Sequence, residues 1–163
     1  MSWFKTLSLL LLLTVTACGD FRVRTLSDSE YNQIASIQVV TSSGRVGQIY
    51  TQQLKDQLMM NPEVTPTHAL NSKLLVSSAS TLSVVGSSST LKKMTMSVSF
   101  TLTNLATGET DLTDTISTNA TLGAISSYYG QDESETQGQE RLARLLADRV
   151  ANRMQLFFIA RLD

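Results

Sequence analysis

The 163-residue chain has one cysteine, one histidine, one tryptophan and two prolines, and only 17% of its residues are charged. A single cysteine excludes an intrachain disulfide framework and a thiolate zinc cluster. The net charge of −1 is spread without a dense basic stripe, which argues against a nucleic-acid binder driven by counterion release and leaves room only for a local cationic patch. The lone histidine, His68, lies in the Pro-flanked stretch VTPTHAL, read as a loop. A hydrolase triad needs a nucleophile and an orienting acid converging on that ring, and no Gly-x-Ser-x-Gly elbow is present. The stretch GSSST lacks the Lys and second Gly of a phosphate-cradling loop. The acidic run DESE lacks the spacing and glycine of a calcium loop and reads as a helix-start cluster. Neither a catalytic residue nor a metal nor a diffusible cofactor is expected.

What the sequence does hold begins at its N-terminus. Lys5 supplies a positive charge, and Leu7 to Leu13 form an apolar run broken only by Ser8. The run is too short for a stable membrane span and fits an export signal. Val15-Thr16-Ala17-Cys18 follows, an aliphatic residue and two small ones before the cysteine. It resembles the lipobox of bacterial lipoproteins, in which small residues fit the peptidase cleft and the thiol accepts a diacylglycerol. The resemblance implies a cleaved signal over 1–17, diacylglycerol and an N-acyl chain on Cys18, a tether over 18–33 and one domain over 34–163. Each buried acyl CH₂ contributes about 0.8 kcal/mol, so a multiply acylated terminus stays in its membrane. In the Gram-negative sorting pattern, Asp directly after the Cys retains a lipoprotein at the inner membrane. Here Gly19 intervenes and Asp20 comes one place later, so an outer-membrane anchor facing the periplasm is expected.

The 42% apolar content suffices for one globular core. Ile34–Val40 is β-branched enough for a first strand, and Thr41 to Gly44 supplies turn chemistry. Val46, Ile49, Tyr50, Gln53, Leu54, Gln57 and Leu58 recur at helical spacing, predicting a helix over about 46–60 that Asn61-Pro62 stops. A strand is expected over Leu74–Val85, with a hairpin turn at 86–89. Met94, Met96, Val98, Phe100 and Leu102 then alternate with Thr95, Ser97, Ser99, Thr101 and Thr103. Strict period two predicts a strand with one face on a core and the other wet. Gly108 in NLATGE offers a positive φ, and Leu112–Leu122 reads as a further strand. From Thr136 the period becomes helical, with Leu142, Ala143, Leu146, Val150, Met154 and Phe157 on one side. Arg141, Arg144, Asp148 and Asn152 occupy the other side, and Arg153 packs its stem near the apolar sector. The order β-α-β-β-β-α predicts an α+β two-layer sandwich, a four-stranded mainly antiparallel sheet with two helices on one face.

This organisation resembles the LPS-assembly lipoprotein LptE family. The resemblance rests on Cys18-Gly19, on TLKKMTMSVSFTLTNLATGE, and on SSYYGQDESETQGQERLARLLADRVANRM, where Leu146-Ala147-Asp148-Arg149-Val150 and Arg153-Met154 fit a family pattern. It implies a non-catalytic role: such proteins sit inside the lipopolysaccharide-exporting β-barrel LptD as plug and assembly partner, and contact lipopolysaccharide. The Thr95, Ser97, Ser99 and Thr101 face would meet the polar lumen of a barrel. Lipopolysaccharide phosphates would meet Lys92, Lys93 or Arg141 through charge-assisted bonds. The alternatives are an accessory lipoprotein of another envelope machine and a peptidoglycan- or lipid-binding lipoprotein. The hydroxyl face speaks against a lipid carrier, which needs apolar residues on both sides of its cavity wall.

Overall fold

The computed structural model describes residues 28–40, 42–83, 90–123 and 127–161. The expected signal, Cys18, most of the expected tether and the turn expected at 86–89 lie outside them. The elements are α1 (Asp28–Ala35), β1 (Ile37–Val39), α2 (Gly44–Gln57), β2 (His68–Ser83), β3 (Thr90–Asn104), β4 (Thr110–Leu122) and α3 (Tyr128–Arg161). The sheet order is β1-β2-β3-β4. β1 pairs parallel with β2 over three residues, and the other two ladders are antiparallel and long. The expected α+β sandwich is therefore present, with one short helix in front of it.

The period-two strand organises the core. Met94, Met96, Val98, Phe100 and Leu102 are all at most 1% exposed, so the core face of β3 is dry from Met94 to Leu102. Against it lie Leu142, Ala143, Leu146, Ala147, Val150, Ala151 and Met154 of α3, with Tyr50 and Leu54 of α2. The Gln53 side-chain amide donates to Asp148 Oδ1 at 2.9 Å and ties the two helices together. Near its C-terminus α3 buries Phe158, whereas Phe157, assigned to the apolar side from the sequence, is half-buried. Phe157 instead packs edge-on against Phe158 and lies under the Arg161 guanidinium.

Close approach explains one glycine. A Cβ on Gly47 would meet the Ser42 carbonyl carbon and oxygen at 2.8 Å, so the first turn of α2 abuts the chain that leads into it. Ser42 in turn fixes that chain, its N–H donating to Thr51 Oγ1 and its hydroxyl to the Ser72 carbonyl. The β3–β4 turn closes as its sequence requires: Gly108 has φ +72°, and its N–H donates to the Asn104 carbonyl at 2.8 Å.

Three boundaries differ from expectation. Ile34 and Ala35 end α1 rather than open a strand, so β1 is only three residues long. β2 starts at His68, not Leu74, because His68, Ala69 and Leu70 pair on both sides, with β1 and with β3. α3 starts eight residues before Thr136, in a stretch without apolar periodicity. Polar pairs support that first stretch. Ser127 Oγ caps it by accepting from the Gly130 N–H at 3.1 Å, and Gln131–Glu135 and Gln137–Glu133 bond across single turns.

Tyr50 makes the fold sensitive to alkali. Burial raises its phenol from 10.0 to about 12, partly opposed by the hydrogen bond with Ser72 Oγ at 3.1 Å. Above pH 10 the unfolded chain ionises first, so stability is complete below that value and falls as pH rises towards about 12. The loss is on the order of 2–3 kcal/mol. In Tyr50→Phe that alkaline step should vanish from urea midpoints measured between pH 9 and 12, and neutral stability should drop by about 1 kcal/mol with the lost bond.

Candidate functional site

The sheet has two chemically opposite faces. The open face of β3 carries Lys93, Thr95, Ser97, Ser99, Thr101 and Thr103, since successive strand residues point to opposite sides. The ladders extend this rank sideways. Ser97 stands between Leu75 of β2 and Ser117 of β4, Ser99 between Lys73 and Thr115, and Thr95 between Ser77 and Asn119. Ser99 Oγ and Thr115 Oγ1 bond to each other at 3.0 Å. The four residues assigned from the sequence, Thr95, Ser97, Ser99 and Thr101, thus form the centre of a largely hydroxyl surface, flanked by Lys73 and Leu75 of β2, and among the described residues no helix lies over it. The β4 contribution, Thr113, Thr115, Ser117 and Asn119, went unrecognised because Asp114 and Thr118 interrupt the apolar alternation of Leu112, Ile116, Ala120 and Leu122 on the other face.

A second region lies where the first half of α3 crosses the end of β4. Gly138 permits the crossing: a Cβ there would reach a Leu122 methyl at 3.0 Å. Beside the crossing, Leu122, Ser134, Gln137, Gly138, Arg141 and Arg144 line an open groove of about 400 Å³. Arg141 and Arg144 share a helix face, three residues apart. Behind them Glu140 is buried; it accepts from Arg45 Nε at 2.9 Å and lies 3.6 Å from Arg144 Nη2. The Arg45 side chain is 77% exposed, so the cluster presents three guanidinium groups to solvent around one sunken carboxylate. Glu140 was not singled out in advance; the i, i+3 spacing of Arg141 and Arg144 was the available signal.

The two lysines separate. Lys92 points to the helix side, and its Nζ meets Glu135 Oε1 at 2.6 Å. That hydrogen bond, more than the one from Gln131, holds the Glu135 carboxyl below its ordinary value. Lys92 is opposite Leu122 in the ladder and so stands beside the arginine groove. Lys93 is exposed on the open face. No single site uses both.

At the far end, His68 is a buried strand residue rather than a loop histidine. Its Nδ1 pairs with Thr67 Oγ1 at 2.8 Å and its Nε2 with Asp111 Oδ2 at 3.2 Å, while Phe158 packs edge-on at 5.4 Å. Thr67 Oγ1 is shared with Ser36 Oγ, and Asp111 Oδ2 with Arg161. Both ends of the line are thus tied into α1, β2, β4 and α3, and the cluster clamps that end of the sandwich. Arg153 is likewise structural, its Nε 2.9 Å from Asp114 Oδ2; this bond is the main reason the Asp114 carboxyl lies low.

The model of the lipopolysaccharide-assembly family LptE matches residues 31–154. The chain belongs to the LptE family. A lipoprotein of Caulobacter crescentus CB15 shares the fold at 18% identity and a TM-score of 0.64, the alignment covering 80% of this chain and 96% of that one. A minor lipoprotein of Acinetobacter baumannii aligns at 13% identity and a TM-score of 0.57, over 74% of this chain and 88% of its own. Among curated proteins, no sequence matches. LptE membership makes this a lipoprotein of lipopolysaccharide assembly in the outer-membrane envelope. Among the described residues, no helix is long and apolar enough to cross a membrane.

Proposed function

We propose that this LptE-family protein is a non-catalytic outer-membrane lipoprotein, held by acylated Cys18, that assembles with an LptD-like β-barrel and plugs its lumen. The observation that carries the reading is the open sheet face. The Ser, Thr and Asn side chains of β3 and β4 can exchange hydrogen bonds with a polar, water-filled barrel wall, and Lys73 and Lys93 add two charges on the same face. The apolar residues that build the sandwich are spent on its own core, as a plug requires. Mild-detergent extraction of the tagged lipoprotein should retain a large β-barrel polypeptide through size exclusion. Recovery of the lipoprotein alone, from membranes containing that barrel, would contradict the reading.

Within this role the groove of Arg141 and Arg144, with Lys92 at its border, is the place for lipopolysaccharide phosphates. Guanidinium groups bind phosphate in bidentate fashion, and Leu122 offers an apolar floor beside them. Lys93 belongs to the barrel-facing surface instead. Removing the sunken charge tests the groove: Glu140→Gln keeps an acceptor for Arg45 but raises the local positive potential. Its lipopolysaccharide affinity should rise about threefold at low salt, with the gain shrinking at high salt. Arg141→Glu with Arg144→Glu should weaken binding instead. Unchanged titrations in both variants would move the ligand elsewhere.

A further inference from the structure

On the helix side of the sheet, acids and bases are paired: Lys92 with Glu135, Arg153 with Asp114 and Arg161 with Asp111. The open face carries cations alone. Neither β2 nor β3 contains a carboxylate, and the two of β4, Asp111 and Asp114, are those bound on the helix side. Lys73 and Lys93 are both exposed on the open face, and among the described residues neither has an ion-pair partner. Lys93 stands opposite Ala79, which puts the two about 20 Å apart along the sheet at about 3.4 Å per residue. The surroundings of Lys73 are the more distinctive. Lys73, Asn71, Ser99, Thr101 and Thr113 line an open notch of about 300 Å³, with Val40 at its border. The register gathers them: Asn71 is opposite Thr101, Lys73 opposite Ser99, and Thr101 in turn opposite Thr113. Ser99 shares its hydroxyl with Thr115, whereas among the described residues the side chains of Asn71, Lys73, Thr101 and Thr113 bond to no other residue.

We propose that this notch is a socket for one carboxylate, an Asp or Glu side chain projecting from the lumen wall of the β-barrel partner. The inference rests on the barrel reading of the open face. An ionised carboxylate only accepts hydrogen bonds, and the notch offers it an ammonium together with amide and hydroxyl donors. Lumen-facing residues of a barrel are polar and alternate along each strand, which is where such a side chain is found. Covering Lys73 without an acid would take an ammonium from water unpaired, a cost that the carboxylate removes. A lysine or arginine of the wall would be repelled, so the socket also selects one register of plug against barrel. Phosphate is better served by the guanidinium groups of the arginine groove, which bind it in bidentate fashion. The notch ends at Ser99 and Thr113, so the centre of the face at Ser97 and Ser117 is left to neutral groups.

A water-soluble carbodiimide tests this, because it joins an amine to a carboxylate only where the two touch. The full lipoprotein is treated in its own membranes and then extracted in mild detergent. The parent should give an amide-linked adduct with the large β-barrel polypeptide. The Lys73→Arg guanidinium keeps the charge but forms no such amide, so the adduct should fall about fivefold or more. Barrel recovery from Lys73→Arg without the carbodiimide should stay within about twofold of the parent. Lys93→Arg should leave the adduct unchanged. Lys73→Glu sets two carboxylates face to face and should lower barrel recovery about tenfold or more at low salt, with an unchanged melting curve. A parent that retains no barrel would overturn the barrel reading and the socket together. With the barrel retained, three results would overturn the socket alone: no adduct, an adduct that survives Lys73→Arg, or an adduct with lipopolysaccharide in place of the barrel.

Discussion

Arginine at both Ser97 and Ser117 is expected to release the protein from its barrel partner. The two residues are directly opposite in the β3–β4 ladder and project from the centre of the open face. Each arginine adds a long side chain to a surface of short hydroxyls. Each also takes a charge to a place where the reading supplies no carboxylate, so steric and desolvation costs act together. A handful of residues near the centre of an interface each carry about 2 kcal/mol or more, and two buried, unpaired arginines there would cost at least as much together. Co-purification of the barrel should therefore fall by about a hundredfold or more. The fold should hardly notice, because surface substitutions away from packed features stay within about 0.5 kcal/mol. Matched melting curves, compared with the amount of barrel recovered, separate the two effects. Full recovery with both arginines in place would mean that the barrel meets another surface.

Phe100→Ala should do the reverse, disabling the fold while leaving the open face chemically unchanged. Phe100 is 1% exposed and belongs to the core cluster of β3, α2 and α3. Emptying such a site costs about 3–5 kcal/mol in lost transfer energy and residual cavity. Against a total stability of about 5–15 kcal/mol, that is a large share. The melting temperature should fall by at least 10 °C, and steady-state levels in the membrane should drop with it. Thr101→Ala, the next residue on the same strand, faces the other way and should move stability by under 1 kcal/mol. The contrast between neighbours reads the period of β3 directly; equal losses at both positions would place Thr101 in a buried interface of the isolated protein.

Much of this was legible in advance because the physics involved is periodic. Five apolar residues at period two identified β3 and its wet face, and the apolar stripe from Leu142 to Met154 identified the packed part of α3. Gly108 sits where its positive φ is needed. What escaped depended on partners distant in sequence. The first turns of α3 show no amphipathic stripe, since their support comes from Ser127 and from Lys92 on another element. His68 reads as a loop residue until β1, Thr67 and Asp111 converge on it. The short α1 hides in a polar stretch, and its contribution to the core is a single isoleucine, Ile34, with Ala35 beside it. The candidate site divides in the same way. The hydroxyl rank on β3 was visible, whereas the cluster of Arg45, Glu140 and Arg144 joins residues 95 apart in its Arg45–Glu140 bond.

The measurement closest to the central claim is site-specific photo-cross-linking from the open face in native membranes. A photoreactive residue at Thr115, exposed beside Ser99, should capture a large β-barrel polypeptide of the LptD class. The same residue at Asn152, on the outer side of α3, serves as the comparison and should capture it less efficiently if the sheet faces the barrel wall. Strong capture of that barrel from Thr115 is the predicted result. An adduct only with other envelope proteins, or none while the barrel is present, would contradict the account.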